Sequence, residues 1–97
     1  MIGQIVRHTK LGYRGVIYDI DGTFNLSDKW YEEVAKSRPP KDKPWYRVLV
    51  HGEEHETYVA ERHLEPEPDA QPVDHPQALE YFDAFKSGHY VVERNLN

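Results

Sequence analysis

No cysteine occurs in the 97 residues, which excludes disulfides, thiolate nucleophiles and Cys-based zinc sites and fits a reducing compartment. No apolar run approaches the ~20 residues that a membrane-spanning helix requires, so no membrane partner is expected. Residues 1–12 lack a basic segment followed by an apolar stretch of about 7–15 residues, and the expected compartment is the cytoplasm. A phosphate-cradling glycine loop and a serine nucleophile elbow are also missing, and the histidines have no nucleophile beside them. Neither catalytic residues nor cofactors are expected.

What is present suits one small globular domain, 1–97, burying about 65% of its unfolded surface. The net charge of −5 is unevenly spread: residues 1–18 hold three cations and no acid, residues 36–47 five cations and one acid, and residues 48–83 ten acids and one arginine. An acidic total argues against indiscriminate binding to nucleic acid, whereas the two basic segments are able to converge on one face.

Residues 16–28, VIYDIDGTFNLSD, are similar to the first motif of the haloacid dehalogenase phosphatases, which would make Asp19 a nucleophile on phosphorus and Asp21 a general acid. Length excludes that reading. Such an enzyme needs a doubly wound parallel sheet, each parallel pair needs a crossover of a dozen or more residues, and four or five such units do not fit. Asp19 and Asp21 are expected as outward-facing strand and turn residues.

The hydrophobic pattern is mainly that of short strands. Residues 2–8 (IGQIVRH) and 13–20 (YRGVIYDI) are rich in β-branched and aromatic residues, and a short polar link between them suits a hairpin. In the second strand Val16, Tyr18 and Ile20 are expected on one face, with Ile17 and Asp19 on the other. A polar excursion, 22–43, follows; Ser27 or Asp28 is placed to cap a helix over 29–36, which Pro39 and Pro40 terminate. Alternation predicts strands over 44–51 and 55–61 around a tight turn, and RHLEP, 62–66, reads as one helical or 3₁₀ turn. Residues 65–75 form an acidic, proline-rich connector. Over 74–88 a capping-box pattern at Asp74 and Gln77, Pro76 in the first turn and Gly88 at the end predict a helix with an apolar stripe of Ala78, Leu79, Phe82 and Phe85. A strand over 89–93 completes the sheet. The expected fold is a small antiparallel β-barrel with a long excursion after strand 2 and a short C-terminal helix, which is expected to plug the barrel's open end.

Three blocks in order, IGQIVRHTKLGYRGVIYDID, PWYRVLVHGEEHETYVAERHL and DHPQALEYFDAF, resemble the HspQ family, also called the YccV-like or hemimethylated-DNA-binding-protein domain. The resemblance rests on Gly3 to His8, on Gly12-Tyr13-Arg14-Gly15-Val16-Ile17, on Tyr46 to Leu49, and on Tyr58-Val59-Ala60-Glu61 with Leu64, and it covers nearly the whole chain. Gly22 and Thr23 stand where a proline or another turn residue is expected, which creates the phosphatase look-alike. The resemblance implies a non-enzymatic, heat-shock-associated protein with an SH3-like barrel. Members of the family are described as modulating ATP-dependent proteolysis and as binding hemimethylated DNA.

The primary expectation is therefore an adaptor or modulator whose partners are an ATP-dependent protease and its protein clients, with homo-oligomer formation open; the alternative is recognition of duplex DNA. For DNA the candidate residues are Arg7, His8, Lys10, Tyr13 and Arg14 on the first hairpin, with Lys41 and Lys43, and also Lys36 and Arg38, in the excursion. Three to seven phosphate contacts would give a logarithmic salt slope of roughly −3 to −6. For a protein partner the candidates are the acidic stretch 61–74 and the helix face near Tyr81, Phe82 and Phe85. His51 and His55 flank a turn rather than forming a His-Glu-x-x-His helix, so no metal site is expected.

Overall fold

The structure, a computed structural model, describes residues 1–93. Its centre is a five-stranded antiparallel sheet in the order β4-β3-β2-β1-β5, made of β1 (Ile5–His8), β2 (Arg14–Asp21), β3 (Trp45–Val50), β4 (Glu56–Ala60) and β5 (Leu64–Pro66). Helix α1 (Asp28–Val34) lies in the excursion between β2 and β3, a 3₁₀ turn (Glu61–His63) joins β4 to β5, and α2 (Ala78–Tyr81) precedes a hairpin of β6 (Ala84–Lys86) and β7 (His89–Val91). The fold is mainly β, as expected. The sheet is open: among the described residues β4 pairs only with β3 and β5 only with β1, so no ladder closes a barrel.

Both faces of the sheet are buried because β3 alternates apolar residues on each side. Val48 joins Val6, Ile17 and Val59 in one cluster, with Tyr13, Ile20, Tyr46 and Leu64 packed against it. Trp45 and Leu49 point to the other face, where two separate covers meet them. At one end Tyr31 and Ala60 bury Trp45, helped by Phe24, Trp30 and Tyr58 from the excursion and β4. At the other end Val73, Ala78, Phe82 and Tyr90 close over Ile5, Val16 and Leu49. The C-terminal segment thus covers the outside of the sheet rather than plugging a barrel end.

A β-bulge between Ile17 and Asp19 corrects the expected alternation in β2. One extra residue, Tyr18, shifts the register, so that Ile20 packs on the Ile17 face while Tyr18 packs with Val16. Gly15 marks a second local requirement. A Cβ there would strike the Leu49 carbonyl and lie 2.6 Å from Val48 Cγ1, so the strands approach only because this residue has no side chain.

Helix α1 begins as its sequence indicates: Ser27 Oγ accepts the Trp30 N–H at 3.1 Å. It stops at Val34, and the following prolines serve as acceptors, Pro39 O for the Tyr31 hydroxyl (2.7 Å) and Pro40 O for Trp45 Nε1 (3.1 Å).

The expected helix over 74–88 is replaced by one short turn and a hairpin. Gln77, not Asp74, is the N-cap and makes no side-chain cap bond. Ser87 and Gly88, with φ of 54° and 82°, close a two-residue turn that pairs Lys86 with His89. That turn chemistry outweighs helical periodicity. Phe85 consequently packs on Tyr90 from a strand, and Leu79 is 72% exposed. β7 pairs with β6 and, among the described residues, bridges the chain just before β1 through Gln4 and His89. The connector also begins differently, since Glu65 and Pro66 belong to β5; an edge strand tolerates proline because one side of its backbone needs no partner.

These placements predict unequal costs along the expected stripe. Phe82→Ala should lower unfolding stability by about 3–5 kcal/mol in urea titrations, because Phe82 is 2% exposed. Leu79→Ala should stay within about 0.5 kcal/mol of the parent. Equal losses at the two positions would show that the C-terminal segment packs as a single amphipathic helix after all.

Candidate functional site

A groove of about 650 Å³ opens along β4, between the first hairpin loop on one side and α1 with the residues after it on the other. Its walls include His8, Lys10, Leu11 and Tyr13 from the loop, Trp30, Val34 and Lys36 from the excursion, and β4 itself. The aromatic floor is one continuous cluster. Tyr58 stacks on Trp45 at 5.3 Å and meets Trp30 edge-on at 5.7 Å, with the Arg47 guanidinium 4.8 Å over its ring. Leu11 and Val34, 74% and 55% exposed, stand on opposite rims.

The 3₁₀ turn ties the walls together. His63 O accepts the Thr9 N–H at 2.9 Å, its Nε2 lies 2.9 Å from Ser37 Oγ, and its ring stacks on His8 at 5.7 Å. Arg62 donates to Ser37 O at 2.7 Å. His8 Nδ1 in turn accepts the N–H groups of Lys10 and Leu11, which sets the hairpin loop. One turn therefore anchors the hairpin, the excursion and the end of β4.

The two acids of the phosphatase-like stretch sit elsewhere and have ordinary structural partners. Tyr58 Oη donates to Asp21 Oδ2 at 2.6 Å, Asp19 Oδ1 accepts the Ile20 N–H, and Arg47 lies 4.0 and 3.9 Å from the two carboxylates. Burial and the bond to Asp21 push the Tyr58 phenol up to about 12. Among the described residues no group of three or more His, Asp or Glu is placed to hold a metal. His51 Nδ1 accepts the Asp74 N–H, so that ring serves the fold.

The candidate site residues divide into two sets. His8, Lys10 and Tyr13 line the groove, where Tyr13 Oη is bonded to Thr57 Oγ1 at 2.7 Å. Arg7 instead pairs with Glu65 (2.5 Å) and lies 3.9 Å from Glu67, and Arg14 donates to the Gln71 and Pro72 carbonyls at 2.7 and 2.9 Å. The basic hairpin and the acidic connector, expected as separate partner surfaces, are thus bonded to one another. Lys41 pairs with Asp28 at 3.2 Å and sits 4.4 Å over the Tyr31 ring. Lys10, Lys36 and Lys43 make no ion pair among the described residues, and of these Lys10 and Lys36 line the groove.

Sequence reasoning missed Trp30, Val34 and His63. A signal existed for the first two, which are four residues apart and so share one face of α1. His63 carried none, since its role depends on the turn bringing three segments together.

The family model for "Hemimethylated DNA-binding protein YccV like" matches residues 1–89, and the chain belongs to the YccV-like family.

The anchor responds to pH. Partial burial holds both His8 and His63 below the usual histidine value; His63 and then Lys10 lower His8 further, and Lys10 and then Arg62 lower His63. Because the folded state disfavours their protonated forms, stability is complete above the unfolded pKa of about 6.5 and falls as pH drops below it. NMR titration should place both midpoints below 6.5, and Lys10→Ala should raise both. Midpoints at or above 6.5 would contradict a partly buried, neutral pair.

Proposed function

We propose that this YccV-like protein is a non-enzymatic, heat-shock-associated regulator in the cytoplasm, an adaptor or modulator of ATP-dependent proteolysis that holds a protein segment in the groove beside β4. The observation that carries the reading is the groove itself: about 650 Å³, aromatic at its floor, rimmed by exposed Leu11 and Val34, and bounded by a sheet edge that no other strand covers among the described residues. Concave, mostly apolar surfaces with a few placed polar groups are the usual binding sites of small domains. The same proposal takes the curled sheet as an SH3-like barrel, supported by the strand order and by the 3₁₀ turn that links the two edge strands.

A second reading, duplex DNA on the first hairpin, is supported by the family's description. It would use Arg7, His8, Lys10, Tyr13 and Arg14 with Lys41 and Lys43, and Arg7 and Arg14 would have to release the partners they hold. A phosphate reaching Arg7 would also meet Glu65 and Glu67, which favours the protein reading.

The test is degradation of a fluorescent unfolded client by a purified ATP-dependent protease. The parent protein should change the rate at least about twofold, and a folded Leu11→Asp, Val34→Asp variant should lose that effect. A variant as active as the parent would remove the groove from the function.

A further inference from the structure

The groove's boundary carries information about its occupant. In an antiparallel ladder, residue pairs alternate between those that exchange hydrogen bonds and those whose N–H and C=O groups turn away. Val50 N–H donates to His55 O and Glu61 N–H to Pro44 O, so the bonded pairs of β3 and β4 continue at Val48–Thr57 and Tyr46–Val59. Glu56 and Tyr58 consequently direct their backbone groups outward, along the groove, where no other segment bonds to them among the described residues. The two sheet edges also differ. β5 is blunted by Pro66, with Pro68 just beyond it, while β4 contains no proline. Unblunted edges are templates for another strand.

Charge orients the template. At the end of β4 near the 3₁₀ turn stand Lys10 and Lys36, both exposed and without an ion pair among the described residues. At the other end stands Glu56, whose carboxylate takes the Tyr18 hydroxyl. Between them lie the Trp30 and Tyr58 rings, with Leu11 and Val34 on the rims.

We propose that an extended protein segment adds a strand to the free edge of β4, its backbone bonded to Glu56 and Tyr58, its apolar side chains against Trp30, Leu11 and Val34, and its acidic end held by Lys10 and Lys36. The proposal rests on the protein-binding reading of the groove and names the chemistry of the partner. About five residues cover β4, each advancing about 3.3 Å. Backbone bonding supplies affinity that tolerates many sequences, and the two lysines select for acid at one end.

The probe is a fluorescein-labelled peptide of about eight residues, alternating valine and threonine and ending in two aspartates. One control ends in two lysines; the other is the weaker binder of two peptides that carry backbone N-methyl groups at odd or at even positions, one for each register. By anisotropy at moderate salt the acidic peptide should bind at least about tenfold more tightly than either control, and Lys10→Glu with Lys36→Glu should invert the charge preference. Amide exchange on the bound protein should slow at Glu56 and Tyr58. No binding, binding that survives N-methylation on both registers, unchanged exchange at those amides, or displacement of the peptide by duplex DNA alone would each overturn strand addition. Failure of the underlying reading is separable. If the peptide does not add to β4 but the Leu11 and Val34 variants still abolish the effect on proteolysis, the groove remains a protein site used in another way; if those variants are also silent, the adaptor reading falls with it.

Discussion

Everything about the groove follows from the need of β3 to bury both of its faces. Its pleat sends Trp45 and Leu49 to one side and Val48 to the other, and all three are 1% exposed or less. The five short strands bury one face against each other, around Val6, Ile17, Val48 and Val59, so a layer over the other face must come from the connections. The excursion supplies it over Trp45, and residues 70–91 supply it over Leu49. The excursion covers Trp45 but stops short of the first hairpin loop, and a trough is left between the two. The trough lies beside β4, the strand that ends the sheet.

The polar contacts decide which surfaces remain available to a partner. Arg7 and Glu65 are both exposed to solvent, which screens their attraction, so this pair is readily broken. Its effect is local neutralisation rather than stability. A cation flanked by Glu65 and Glu67 attracts a phosphate less than the three positive charges of residues 1–18 suggest. Arg14 differs, because its guanidinium holds two backbone carbonyls of the segment that leads into the outer cover. Drawing it away would leave those carbonyls without their donor and loosen the packing over Val16. Lys10 and Lys36 carry no such duty, which is why they stand out as groups free to select a ligand's charge.

Much of this architecture is legible in the sequence. The four longer strands and α1 fall within one to three residues of where alternation, the Ser27 cap and the prolines place them. The remainder depends on contacts distant in sequence. Nothing in YDID announces that Tyr18 is an extra residue, since the bulge exists only in relation to β3, and Ile20 changes face because of it. The apolar spacing of Ala78, Leu79, Phe82 and Phe85 fits a helix, but the Ser87-Gly88 turn pulls Phe85 into a hairpin against Tyr90. For the site, His8, Lys10 and Tyr13 were identifiable as one basic and aromatic cluster. That Arg7 and Arg14 would be bonded to residues 57 or more positions away was not, because charge in a segment does not reveal what faces it.

We propose a protein segment, and not a DNA duplex, as the principal partner of this fold. The most direct test is fluorescence-anisotropy titration of matched unmethylated and hemimethylated duplexes at low and near-physiological salt. On that proposal binding is weak at low salt and lost as salt rises, with the two duplexes indistinguishable, since only a few unpaired lysines are available to phosphates. Tight binding that persists near physiological salt and separates hemimethylated from unmethylated DNA would contradict it, and would make the duplex the ligand around which this surface is built.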